Sequence, residues 1–112
     1  MNCVRNYPWY KGIWKEFKDK GVVVIGIHTP ETAGEKNVKR VKQKIEEAGL
    51  TFPIAIDNKT TMWRRYSNRY WPSIYLIDKA GIARWGWSGE LGWKGAKGET
   101  HMRKKIEELL TE

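Results

Sequence analysis

Apolar residues at Val4, Tyr7, Tyr10, Trp14 and Phe17 recur at steps of three and four, which places them on one face of a helix running from Asn2 to Lys20. Pro8 lies inside that stretch and removes a hydrogen-bond donor, predicting a kink at or just before it, and Gly21 ends the helix. Val22 to Ile27 is a nearly continuous β-branched run, the pattern of a strand buried on both faces of a sheet. The turn-forming residues His28 to Gly34 lead to a second helical stripe of Val38, Val41, Ile45 and Ala48, closed by Gly49.

Phe52 to Ile56 is a short strand that Pro53 restricts to a strand start or a sheet edge. Asp57 and Asn58 turn the chain, and Thr60 or Thr61 is placed to cap a short helix ending near Tyr66. Ile74 to Ile77 and Ile82 to Trp87 flank Asp78-Lys79-Ala80-Gly81, which predicts an antiparallel hairpin. Ser88 to Gly98 has four glycines and no period, so it reads as a surface loop. A last helix begins at Glu99 or Thr100 and turns Met102, Ile106, Leu109 and Leu110 toward the sheet. The predicted order is helix, strand, helix, strand, short helix, hairpin, helix.

A chain of 112 residues suits one domain, and with 40% apolar residues and seven Trp it has enough apolar surface to offset the entropy of ordering. The net charge of +8 comes largely from Lys36 to Lys44, Arg64 to Arg69 and Met102 to Lys105. These are mostly helical segments, so a solvated helix face accounts for them, with nucleic acid, an acidic membrane or an acidic protein as alternatives. No nucleic-acid-binding motif is present. No apolar run is long enough to span a bilayer and the first residues lack a secretory core, so as written the chain is expected to be cytoplasmic. One Cys cannot form an internal disulfide, and with two scattered His it makes no zinc site; no metal or cofactor is expected.

Asn2, Cys3 and Pro8, with Trp71-Pro72 and Tyr75-Leu76-Ile77-Asp78, resemble the redoxin branch of the thioredoxin fold, specifically the TlpA-like thiol-disulfide oxidoreductases. Val24 to Glu31 and Asn68 to Pro72 resemble the thioredoxin-like domain of DipZ-type proteins. The likeness covers residues 1–112 as a single domain. It implies a three-layer α/β/α sandwich with a mixed sheet, N-terminally truncated relative to the family and missing its first core β-strand. It also implies proteins often found in the periplasm or anchored to membranes.

In that family a Cys-x-x-Cys motif opens the first helix, with a proline five residues after the second Cys, as Pro8 follows Cys3. Cys3 thus matches the second, resolving cysteine, and the position of the first falls before Met1. The resemblance implies a cis bond before Pro72 and substrate pairing with the backbone of Trp71, although Pro72 also reads as an ordinary turn proline. Tyr7, Trp9, Tyr70 and Trp71 are candidates for a peptide groove, with Trp9 and Trp71 its leading members, or else for the core. Arg5 and a nearby helix start favour a Cys3 thiolate, but an unreactive Cys3 fits as well. His28 and Glu31 read as structural turn residues.

The functional expectation is a relative of thiol-disulfide oxidoreductases with weak or absent dithiol activity, acting on a protein or peptide thiol or disulfide. The alternative is a non-catalytic peptide-binding module. Peroxidase chemistry lacks its usual Thr-x-x-Cys motif. The resemblance places the absent strand between Val22 to Ile27 and Ile74 to Ile77, and a gap there invites closure of the sheet, exchange with a second copy or a strand from another protein. Homo-oligomerisation is expected.

Overall fold

The computed structural model describes residues 2–112, with side chains from residue 4 onward. The chain forms two compact units: Tyr10–Asn68, and the residues before Tyr10 together with Arg69–Glu112. Parallel and antiparallel strand pairing are divided between them, one two-stranded sheet in each.

The predicted first helix has three consecutive parts, the last a 3-10 turn over Lys18–Lys20 that Gly21 ends at φ 94°. Asn2–Asn6 is a 3-10 helix, and the α-helix α1 spans Tyr7–Phe17. Pro8 therefore stands in the first turn of α1, where the missing N–H has no intrahelical partner to lose. The expected kink within one helix is instead a helix start.

In the Tyr10–Asn68 unit, Ile13, Phe17, Val41 and Phe52 are buried and form its apolar centre. The helix α2 runs Val38–Ala48 as its stripe predicts. Asn37 caps it by accepting from the Arg40 amide at 3.2 Å, and Gly49 closes it at φ 69°. Lys11 donates to the Ala48 carbonyl at 3.0 Å, satisfying one of the free carbonyls at that helix end.

Strands β1 (Gly26–His28) and β2 (Ile54–Ile56) pair in parallel, Gly26 opposite Ile54. The Gly26 amide donates to Pro53 at 2.9 Å and His28 accepts from the Asp57 amide at 2.8 Å. The strand expected over Val22 to Ile27 is thus shorter and shifted, and it is not buried on both faces. Val23, Ile25 and Ile27 are 72%, 63% and 44% exposed, whereas Val22, Val24 and Gly26 are half-buried. Strict alternation arises because successive side chains of extended backbone point to opposite faces and only one face of this segment is covered.

The helix α3 (Thr61–Arg65) starts where expected, but a different side chain caps it. Thr60 is left-handed at φ 57° and its hydroxyl bonds the Lys59 carbonyl, so it does not cap. Asp57 takes that role, its carboxylate accepting from the Met62 and Trp63 amides at 3.2 and 3.1 Å and from the Thr29 hydroxyl at 2.9 Å. Burial alone would raise the Asp57 pKa, but the donors from Trp63, Thr29 and Met62 outweigh it and hold the carboxyl below its ordinary value of 3.8. A lowered carboxyl pKa gives stability that is present above the unfolded value and lost as pH falls through the folded one. Urea unfolding should therefore show stability falling below about pH 4, and Asp57→Asn should flatten that limb. An unchanged acid limb in Asp57→Asn would contradict the cap.

In the second unit, β3 (Ser73–Ile77) and β4 (Ala83–Ser88) form the predicted hairpin, Ile74 opposite Trp87 and Leu76 opposite Trp85. The Asp78 carboxylate shapes the turn by accepting from the Ala80 and Ile82 amides at 2.9 and 3.0 Å. The helix α4 (Gly98–Leu110) buries Met102 and Ile106. Its His101 ring lies 6.5 Å from the Trp85 ring and 5.9 Å from the Trp87 ring, so the helix packs against β4 through aromatic edges.

The stretch Ser88 to Gly98 is not simply a surface loop. Leu91 is fully buried and Glu90 is buried, and Trp93–Gly95 is a short 3-10 turn. The Leu91 carbonyl accepts from the Gly98 amide at 3.0 Å, so this segment is fixed to the start of α4. Among the described residues no helix is long and apolar enough to cross a membrane.

Candidate functional site

The site residues expected from the sequence, Cys3, Trp9, Trp71 and Pro72, all belong to the unit that contains the hairpin and α4. Cys3 contributes backbone to the 3-10 helix Asn2–Asn6; its side chain lies outside the described residues. Trp9 is half-buried in the first turn of α1. Trp71 is half-buried, Pro72 is buried, and the peptide bond joining them is cis. Tyr70, next to them, is 64% exposed.

Three consecutive residues hold this arrangement, and none was marked by the sequence pattern. The Gly89 amide donates to the Pro72 carbonyl at 2.7 Å. The Glu90 carboxylate accepts from the Arg5 guanidinium at 3.1 and 3.4 Å. The Leu91 amide donates to the Asn6 side-chain oxygen at 3.0 Å. The segment Gly89 to Leu91 thus bonds both to the 3-10 helix that carries Cys3 and to the turn at Pro72.

The physical quality of these bonds differs. Asn6 is 2% exposed, so its bond to Leu91 satisfies two buried polar groups. Glu90 is buried but the Arg5 side chain is 72% exposed, so this ion pair is screened on one side and fixes geometry more than it adds stability. Gly89 sits at φ 89°, a left-handed conformation that glycine adopts without strain, and this lets its amide meet Pro72. Ser73 adds a bond to the Tyr70 carbonyl at 2.7 Å, tightening the approach to β3.

Elsewhere in the chain, the predicted turn role of His28 has a direct counterpart: its Nε2 lies 2.9 Å from the Glu35 carbonyl. Glu31 is exposed.

This combination of helix start, cis-proline turn and hairpin defines a thioredoxin-like α/β architecture. A protein described as thiol:disulfide interchange protein DsbE from Chlorobium tepidum shares it with a TM-score of 0.83 at 19% identity, over 97% of this chain and 71% of that one. The AhpC/TSA family model matches residues 1–85, and the chain belongs to that family.

Among curated relatives, protein DipZ of Mycobacterium tuberculosis is 45% identical over 84 residues, 75% of this chain and 12% of DipZ. The thiol-disulfide oxidoreductase ResA of Bacillus cereus is 33% identical over 79 residues, 70% of this chain and 43% of ResA. The chain is therefore a relative of thiol-disulfide oxidoreductases, and its match spans less than half the length of each of these two proteins.

Proposed function

We propose that this chain works as one thioredoxin-like domain that engages protein or peptide thiols and disulfides but has weak or no dithiol activity. The observation that carries this reading is the single cysteine in a chain whose relatives include named thiol-disulfide oxidoreductases. A thiolate attacking a partner disulfide forms one S–S bond, breaks another and releases one partner thiolate. Resolving that mixed disulfide within the same chain takes a second thiol. Cys3 supplies only one.

Reduction of insulin with dithiothreitol as electron source tests the reading. The expected rate is that of dithiothreitol alone, with Cys3→Ser indistinguishable from the unmodified chain. A rate well above that background, lost in Cys3→Ser, would overturn it.

A second reading, a peptide-binding module at Trp9, Trp71 and Pro72, draws support from the exposed Tyr70 ring beside the buried Pro72. Aromatic rings at a fixed turn offer large contact area at small entropic cost. Self-association through an open strand edge is part of the same proposal, since β1 and β2 form a sheet of only two strands.

A further inference from the structure

The Glu90 carbonyl accepts from the Trp93 amide and from the Trp87 indole N–H, both at 3.3 Å. Its carboxylate holds Arg5, and the amide just before it, that of Gly89, holds the Pro72 carbonyl. Arg69 and Tyr70 thus lead into the cis-proline turn at this knot, and Trp93 and Lys94 follow directly from it. Arg69, Tyr70, Trp93, Lys94 and Lys97 are all exposed.

The turn that carries Trp93 is fixed at both ends, by the buried Leu91 before it and by the Gly98 amide that donates to the Leu91 carbonyl after it. Within it Lys94 stands at φ 51° and ψ 37°, a left-handed conformation that a lysine has no short polar side chain to relieve. Strain kept at an exposed turn points to a use for the side chain it presents. The Lys94 ammonium lies 5.8 Å from the centroid of the Trp93 ring, so the turn offers a ring and a cation together.

The charges of this unit are unevenly answered. Arg5 is met by Glu90, Arg84 by Asp78 and Glu112, Arg103 by Glu107, and Lys105 by Glu108. Arg69, Lys94 and Lys97 take part in none of the described ion pairs. The carboxylates closest to Lys94 and Lys97 in the chain are Glu90, buried and held by Arg5, and Glu99, which complements the N-terminus of α4 from its first turn. The rim of the cis-proline turn is therefore positive, with two exposed aromatic rings set in it.

We propose that this rim gives the turn a preference for acidic extended peptides, whose carboxylates meet Arg69, Lys94 and Lys97 while an apolar residue rests on Tyr70 or Trp93. This rests on the peptide-binding reading above and adds the chemical class of the peptide. Charge at the rim of an interface acts on capture and selectivity, so the preference is salt-dependent. Rings and cations also suit single-stranded nucleic acid, but cations confined to two short segments make no continuous track for a phosphate backbone.

Fluorescence anisotropy with two labelled peptides tests this on the full chain in a Cys3→Ser background. One peptide carries Glu and Ser around a central Leu, and the other has Gln in place of each Glu. At about 50 mM salt the Glu peptide should bind at least about tenfold tighter, and the difference should shrink below about threefold at about 500 mM. Lys94→Gly should weaken binding of the Glu peptide at least about threefold without lowering the urea midpoint, because glycine takes the left-handed position freely. Lys79→Gln removes the same charge in the hairpin turn, at the opposite end of β3 from Pro72, and should leave binding unchanged.

Failure of both peptides to bind overturns the peptide-binding reading and the acidic preference with it. Equal binding of the two peptides, or equal losses in Lys94→Gly and Lys79→Gln, overturns the acidic preference while peptide binding stands. Tighter binding of a single-stranded oligonucleotide of the same net charge assigns the rim to nucleic acid and also overturns the preference.

Discussion

Leu91→Ala is expected to lower the free energy of unfolding by about 3 kcal/mol. Leu91 is fully buried, though it lies in a glycine-rich segment with no regular period. Truncating it removes the burial of a leucine side chain and leaves a cavity beside α4, and both costs add. The effect extends to the site, because the Leu91 amide bonds Asn6 and its neighbour Glu90 bonds Arg5. Urea unfolding monitored by Trp fluorescence measures the loss. Trp93→Ala in the same segment is the control: that ring is 57% exposed, and its loss should cost no more than about 0.5 kcal/mol. Equal losses in the two variants would contradict Leu91 as the anchor.

Gly98→Ala is expected to destabilise by about 2 kcal/mol, against the ordinary preference of a helix for alanine. A Cβ at Gly98 would lie 2.7 Å from the Leu91 carbonyl oxygen, 2.8 Å from the Trp87 ring and 2.9 Å from the Leu91 Cα. Two of those three atoms are backbone and cannot swing aside. Accommodating the methyl requires moving α4 away from the Leu91 segment, and so disturbing the Gly98-to-Leu91 bond. Gly12, within α1, is the opposite case, since a Cβ there meets nothing within 4 Å. Gly12→Ala should stabilise by about 0.5 to 1 kcal/mol. If both substitutions shifted stability in the same direction, close packing at Gly98 would not be the cause.

These two positions show where sequence reasoning stops. The helix Val38–Ala48, the β3–β4 hairpin and the Trp71–Pro72 turn were legible because each is specified locally, by a 3.6-residue stripe, an Asp-Lys-Ala-Gly turn and a proline. The anchoring segment Gly89 to Leu91 was not, since its order comes from residues distant in the chain: Arg5, Asn6 and Pro72. Nothing in its own composition distinguishes it from a mobile loop.

The error at Val22 to Ile27 has a related origin. An apolar run identifies extended backbone, but whether it is buried on one face or two depends on what packs over each face. Here one face is left uncovered, and alternate side chains remain exposed. The start of α3 was legible but its capping side chain was not: Thr60 has the right chemistry, yet its hydroxyl bonds the Lys59 carbonyl and Asp57 accepts from the Met62 and Trp63 amides.

The proposed reading is that this thioredoxin-like chain, with its one cysteine, has weak or no dithiol activity. Its most direct test is the dependence of dithiothreitol-driven insulin reduction on the concentration of this chain. The expected rate stays at the reagent background as the chain is raised from catalytic to stoichiometric amounts, with Cys3→Ser superimposing on it. A rate that rises in proportion to the chain and collapses in Cys3→Ser would contradict the claim.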